Sequence, residues 1–313
     1  MGEKTMDLAA GHAVEAILRD GLAREARALS SVVPVLRHLL STETQALLSD
    51  AILARVRGMM FDLARQLLAI RSGRDPATRA GMEADPALLD PLADLLMADE
   101  GLLTFCHALA TEGLIAQRLQ QRDSIDPVLS PLLQELIAAE DPGVAALAMS
   151  TLAAQSRFVQ GQRRMELALG ELPFELFHRV TELARTTNQG SAAGAAVQAA
   201  YDEATSRLGL LARLVAAMRR GVVAGLAIDH AGLALFASAL ATAIRHPREA
   251  IVLACHEGQG MGLGLMLRAA DLPAQTIERQ LLLVDPANGV ARTVANVSAE
   301  RAAALLAGGG SAG

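Results

Sequence analysis

The chain has 313 residues and a mass of 32.7 kDa, long enough to bury a core without disulfides or metals. Hydrophobic residues make up 52% of it but aromatic residues only 2%, and Ala and Leu supply most of the apolar total, a mixture that favours helix over sheet. Lys and Arg number 28 against 34 Asp and Glu, so the net charge is -6. This excludes a basic nucleic-acid binder, and one Tyr with no Trp leaves few stacking platforms for single strands.

Charge enters at once, at Glu3 and Lys4, and no apolar stretch of signal-peptide length follows before Glu15 and Arg19, so a cytoplasmic location is expected. The first strongly periodic segment is Glu43 to Arg71. Thr42 and Gln45 have capping-box spacing, and Ile52, Val56, Met59, Leu63 and Leu67 step by three or four residues along one face. The stripe is widened by Leu53, Met60 and Leu68, and it predicts a homodimer interface through this helix. The competing account is that helices over 6–29 and 87–121 of the same chain cover it.

The polar run from Ser72 to Pro86 predicts a linker, with an N-terminal helical bundle over 1–72 on one side and a helical domain over 87–307 on the other. Asp-Pro pairs at Asp85, Asp90, Asp126, Asp141 and Asp285 read as helix starts, because Asp caps and Pro is tolerated at the first helical position. A helix pair is expected over 125–140 and 143–160, and another helix over 172–185 opened by Pro173. The stretch from Thr186 to Gly194 is a possible sub-boundary. A helix over 198–220, a buried helix pair over 222–244, a last helix around Thr276 and a Gly/Ser tail over 308–313 follow. The apolar run from Val222 to Ile244 carries Asp229 and His230 near its middle, which argues against a membrane span.

The fold class is therefore all-α, an N-terminal bundle followed by serial short helices of the HEAT-like kind. The segments Leu152 to Pro173 (LAAQSRFVQGQRRMELALGELP) and Leu233 to Pro273 resemble the bacterial family grouped as domain of unknown function 2336, over the C-terminal two thirds of the chain. The resemblance implies helices, no established activity and no catalytic residue.

Three patterns carry possible chemistry. Glu249 to Leu267 reads as a short β-branched run, glycines at 258, 260, 262 and 264, then a helix, which is the order of a phosphate-cradling turn with Cys255, His256 and Glu257 at its mouth. The GxGxxG register fails at Leu263 and Leu265, and strand at Ile251 to Ala254 is what a nucleotide site at Gly258, Gly260 and Gly262 would require. Cys106-His107 and Cys255-His256 form a possible Cys₂His₂ metal set, although neighbours on one helix point about 100° apart. The competing reading makes both cysteines buried, reduced small hydrophobes. His38 is a candidate phosphotransfer histidine if exposed on a bundle, and Arg207, Arg213, Arg219 and Arg220 read as a solvated helix face. No catalytic constellation and no cofactor is expected. The reading is a non-enzymatic scaffold or regulatory protein that binds a protein partner, with neither nucleic acid nor membrane as partner.

Overall fold

A computed structural model describes residues 2–41, 49–77, 85–185, 192–256, 259–286, 293–294 and 296–309. Every regular element among them is helical, so the chain is all-α. In chain order the α-helices are α1 (Gly2–Ser41), α2 (Asp50–Arg71), α3 (Pro86–Met97), α4 (Glu100–Asp123), α5 (Pro131–Ile137), α6 (Pro142–Arg164) and α7 (Phe174–Arg185). They continue with α8 (Ala192–Ala200), α9 (Arg207–Met218), α10 (Ile228–Ile244), α11 (Arg248–Ala254), α12 (Gly260–Ala269), α13 (Ala274–Val284) and α14 (Ala299–Gly309). None of the described helices is long and apolar enough to cross a membrane.

The chain divides into two compact units, each built from separated stretches. One takes Met1–Val32, Ile115–Leu132 and Met218–Gly313; the other takes Val33–Leu114 and Leu133–Ala217. This division does not follow the boundary expected between 72 and 87, since α2, α3, α7 and α8 all belong to the second unit and α2 packs on the other three.

The core of the second unit is centred on α2. Val56, Met59, Leu63 and Leu67 have no exposed surface and Ile52 has 4%. They join Leu92, Leu96, Leu102, Leu103, Phe177 and Val180 in one cluster. The expected dimer stripe is thus core within a single chain, and Ile52, Val56, Met59, Leu63 and Leu67 are not surface that a second copy can reach. The covering helices are α3, α7 and α8, partly as the same-chain account had it. Gly58 lets α2 approach the turn after α6, because a Cβ there would lie 2.3 Å from the Met165 Cβ. Met165 ends α6 in the left-handed region at φ 58°, a cost for any residue with a Cβ.

In the first unit, Leu18 of α1 packs with Met261 and Leu265 of α12, with Val294 and Val297, and with Ala302 and Leu305 of α14. Helices α10, α11, α12 and α13 pack in succession. Residues 231–240 of α10 are buried on every side, which is why this stretch is the most apolar of the sequence. Gln280 of α13 is 1% exposed, and its Oε1 accepts from the Ile228 N–H at 2.7 Å, supplying the cap that Ala227 lacks.

Several local expectations change. Ile251 to Ala254 is helix α11, not the strand that the alternative nucleotide site would require. The expected helix over 125–140 shrinks to α5. Asp126 Oδ1 does accept from the Val128 and Leu129 N–H groups, yet the turn it caps does not propagate into α5. The expected helix over 198–220 breaks at Asp202, whose carboxylate caps a short 3-10 turn before α9 starts at Arg207. Asp90-Pro91 lies inside α3, which is opened one turn earlier by Asp85-Pro86. The Thr42 to Gln45 capping box, residues 78–84 of the 72–86 segment, residues 186–191 of the 186–194 segment and residues 310–313 of the tail fall outside the described residues.

Candidate functional site

The glycine-rich helix has its N-terminus filled from within the chain. Glu25 of α1 accepts from the Met261 N–H at 2.9 Å and from the Gly262 N–H at 2.6 Å, taking the place an anion would take at a helix start. A Cβ on Gly262 would lie 2.7 Å from Glu25 Oε2, so that glycine serves the approach of this carboxylate. Burial pushes the Glu25 carboxyl above the usual glutamate range, against the lowering effect of its two N–H donors and of Arg24. The phosphate-cradle reading therefore loses its strand, which is helix α11, and its open helix end. Gly258 and Glu257 lie outside the described residues, whereas Gly260, Gly262 and Gly264 are buried within α12.

The two Cys-His pairs fall in different units, Cys106-His107 on α4 and Cys255-His256 just after α11. Both cysteines are buried thiols, and burial pushes the Cys106 thiol well above its ordinary range, which removes it as a nucleophile near neutral pH. Among the described residues no group of three or more His, Cys, Asp or Glu side chains is placed to hold a metal ion. His38 lies on α1 near its C-terminal end, and its side chain is outside the described residues.

Arg207 departs most from expectation. Instead of joining a solvated row it is 2% exposed, and its guanidinium makes a two-pronged pair with Glu112, both bonds at 2.8 Å. Glu112, on α4, is itself 1% exposed. Gln155 Oε1 accepts a further bond from Arg207 Nη1 at 3.2 Å, and the guanidinium carbon lies 3.7 Å from the Phe158 ring centroid. The Arg207 backbone N–H donates to Glu171 Oε2 at 2.7 Å, an acidic group at the first turn of α9. Burial at this depth is possible because the planar group donates twice to a carboxylate and once to an amide while its face meets a ring.

Arg207 stands in the wall of a cavity of about 210 Å³ that lies wholly within the second unit. Phe105 and Leu109 of α4, Phe158 of α6, Leu167 and Leu208 give it an apolar lining. Arg157, Gln160 and Arg164, at i, i+3 and i+7 on α6, are exposed lining residues and mark where the cavity meets solvent. Its far wall, the turn over 165–171, is held to α2 by two buried side chains. Asp62 Oδ2 accepts from the Leu167 N–H at 2.9 Å; Gln66 donates to the Leu167 carbonyl at 2.8 Å and accepts from the Leu169 N–H at 3.0 Å. Gln162 also lines the cavity and is 5% exposed, and its Oε1 has no hydrogen-bond partner among the described residues.

A second surface feature lies on α3. Leu88 is 58% exposed and Leu95 56%, and the exposed Pro91 and Ala98 complete a stripe at i, i+3, i+7 and i+10. Asp90 and Asp94, both exposed, flank it. Glu112, Gln155, Phe158 and Gln162 were not singled out in the sequence. The only signal for them was the one-face spacing of Phe158 and Gln162 on α6, which also fits an ordinary core stripe. Comparison of the chain with family models, curated proteins and solved structures gives no match.

Proposed function

We propose that the protein is a non-enzymatic helical scaffold or regulatory protein of the cytoplasm that binds a protein partner, and that α3 forms part of the binding surface. The observation that carries this is the Leu88, Pro91, Leu95 and Ala98 stripe. Single exposed leucines are ordinary, but two on one helical face with apolar residues between them form a patch. Asp90 and Asp94 beside it select a partner segment with apolar side chains on one face and basic residues at its edges, the helix-in-groove mode of recognition. The successive packing of α10 to α13 supports a HEAT-like arrangement, in keeping with the resemblance to domain of unknown function 2336.

The test replaces Leu88 and Leu95 together with Asp and compares wild type and variant as baits in native extract. A protein held by wild type should be lost from the folded variant, and the purified pair should show the same difference by calorimetry. A variant that keeps every specific partner of wild type sinks the assignment to α3.

A further inference from the structure

We propose that the cavity of the second unit is a binding site for a small aromatic carboxylate, with the ring among the apolar side chains and the carboxylate at Arg157 and Arg164. Size sets the first limit. The cavity measures about 210 Å³, and an apolar protein cavity of about 150 Å³ takes up a benzene ring, so one ring with a short acidic arm fits.

The lining sets the second. The chain has only six Phe, and two of them, Phe105 and Phe158, line this one cavity beside Leu109, Leu167 and Leu208. Charge decides which end of the ligand meets solvent. Among the cavity arginines Arg207 is already committed to Glu112, whereas neither Arg157 nor Arg164 makes an ion pair among the described residues. Both are exposed on the same face of α6, about two helical turns apart, so their forks are open to a planar carboxylate. The lining holds two acids, Glu166 and Glu171; Glu171 accepts from the Arg207 N–H and Glu166 is also engaged within the chain.

Gln162 is part of the wall. It is 5% exposed, and one end of its amide lacks a hydrogen-bond partner among the described residues whichever way the group is turned, since Nε2 is taken up only by the Met59 sulfur at 3.5 Å. That Oε1 lies beside α4, 3.0 Å from where a Gly113 Cβ would stand and where Arg55 Nη1 also approaches, so it bounds the cavity wall without supplying a contact for the ligand. The wall is preorganised for the ligand, because Asp62 and Gln66 fix the 165–171 turn and the Arg207, Glu112 and Gln155 set fixes α4, α6 and α9 in relation to one another.

The experiment uses the full chain with phenylacetate as probe and phenylacetamide as its neutral counterpart, followed by calorimetry and by ligand-observed NMR. Wild type should bind phenylacetate about ten-fold more tightly than the amide, the difference expected of a hydrogen-bonded ion pair at a partly exposed site. Replacing Arg157 and Arg164 with Ala should bring acid and amide to within about two-fold of each other, because only the charged contact is removed. These two positions are exposed, so this variant is expected to keep the wild-type circular dichroism spectrum. Ala168→Phe, which fills the cavity, should abolish binding of both compounds. Failure of wild type to bind phenylacetate at millimolar concentration, equal affinity for acid and amide, or full binding by the double arginine variant overturns the proposal.

Discussion

At the scale of single residues, the buried charges set the strongest expectations. Arg207 and Glu112 are 2% and 1% exposed, so removing either leaves the other desolvated without its counter-charge. Arg207→Met should cost about 3–5 kcal/mol in urea unfolding, and adding Glu112→Leu should recover most of that loss, because a matched apolar pair needs no solvation. If the double variant is no more stable than the single one, the pair is not the source of the cost. Glu25 gives a pH signature of defined sign. Its folded carboxyl titrates above the unfolded value of 4.5, so the folded state holds the proton more tightly and the contribution is complete below that value. Stability is lost as pH rises from there through the raised value. Glu25→Gln removes the titration, so the stability difference between variant and wild type should move in favour of Gln across this window and then level off. Unfolding curves at pH 4, 5, 6 and 7 check it, and a difference independent of pH contradicts it. Neither group was legible beforehand. Arg207 looked like a member of a solvated arginine row, and nothing in the neighbourhood of Glu25 connects it to a helix more than two hundred positions away, as the Gly262 bond does.

At the scale of elements, α2 shows how periodicity succeeds and where it stops. The stripe from Ile52 to Leu67 identified a buried face correctly, but periodicity states that a face is covered and not by what. Here α3, α7 and α8 of the same chain cover it. Met59→Asp places a carboxylate where no surface is exposed, so the expected outcome is loss of the folded state and not a folded monomer; circular dichroism with size exclusion distinguishes the two. Gly58→Ala should also destabilise. The new Cβ would meet the Met165 Cβ at 2.3 Å, and overpacking of this kind costs about 1–3 kcal/mol, more than the helix-propensity gain. Met165→Gly removes both the left-handed strain and that Cβ, so it should raise the melting temperature alone and partly rescue Gly58→Ala. Rescue is partial because the Met165 carbonyl oxygen, 3.0 Å from the same point, remains. Helix starts were legible where capping chemistry acts alone. Asp85 and Asp141 each cap a helix opened by Pro, but Asp126 caps a turn that goes no further and Asp90 sits within a helix already begun, because tertiary packing decides whether a capped turn is extended.

At the scale of the whole molecule, the all-α class was legible because composition, capping and periodicity agree on it. The partition was not. Local polarity between Ser72 and Pro86 suggested a cut, whereas the contacts interleave Val33–Leu114 with Leu133–Ala217 in one unit, and long-range pairing leaves no mark on a single sequence. A fragment starting at residue 73 lacks α2 and its twelve buried residues, so it should melt without cooperativity and give a collapsed amide NMR spectrum. A fragment with sharp, dispersed resonances would show that α2 is dispensable. The interleaving also governs how the chain matures. Leu18 completes its cluster only with Val294, Ala302 and Leu305, and a ribosome adding about 5–20 residues per second reaches Leu305 roughly 15–60 s after Leu18. During that interval Leu18 has no native cover, so the nascent chain exposes apolar surface that the finished protein buries.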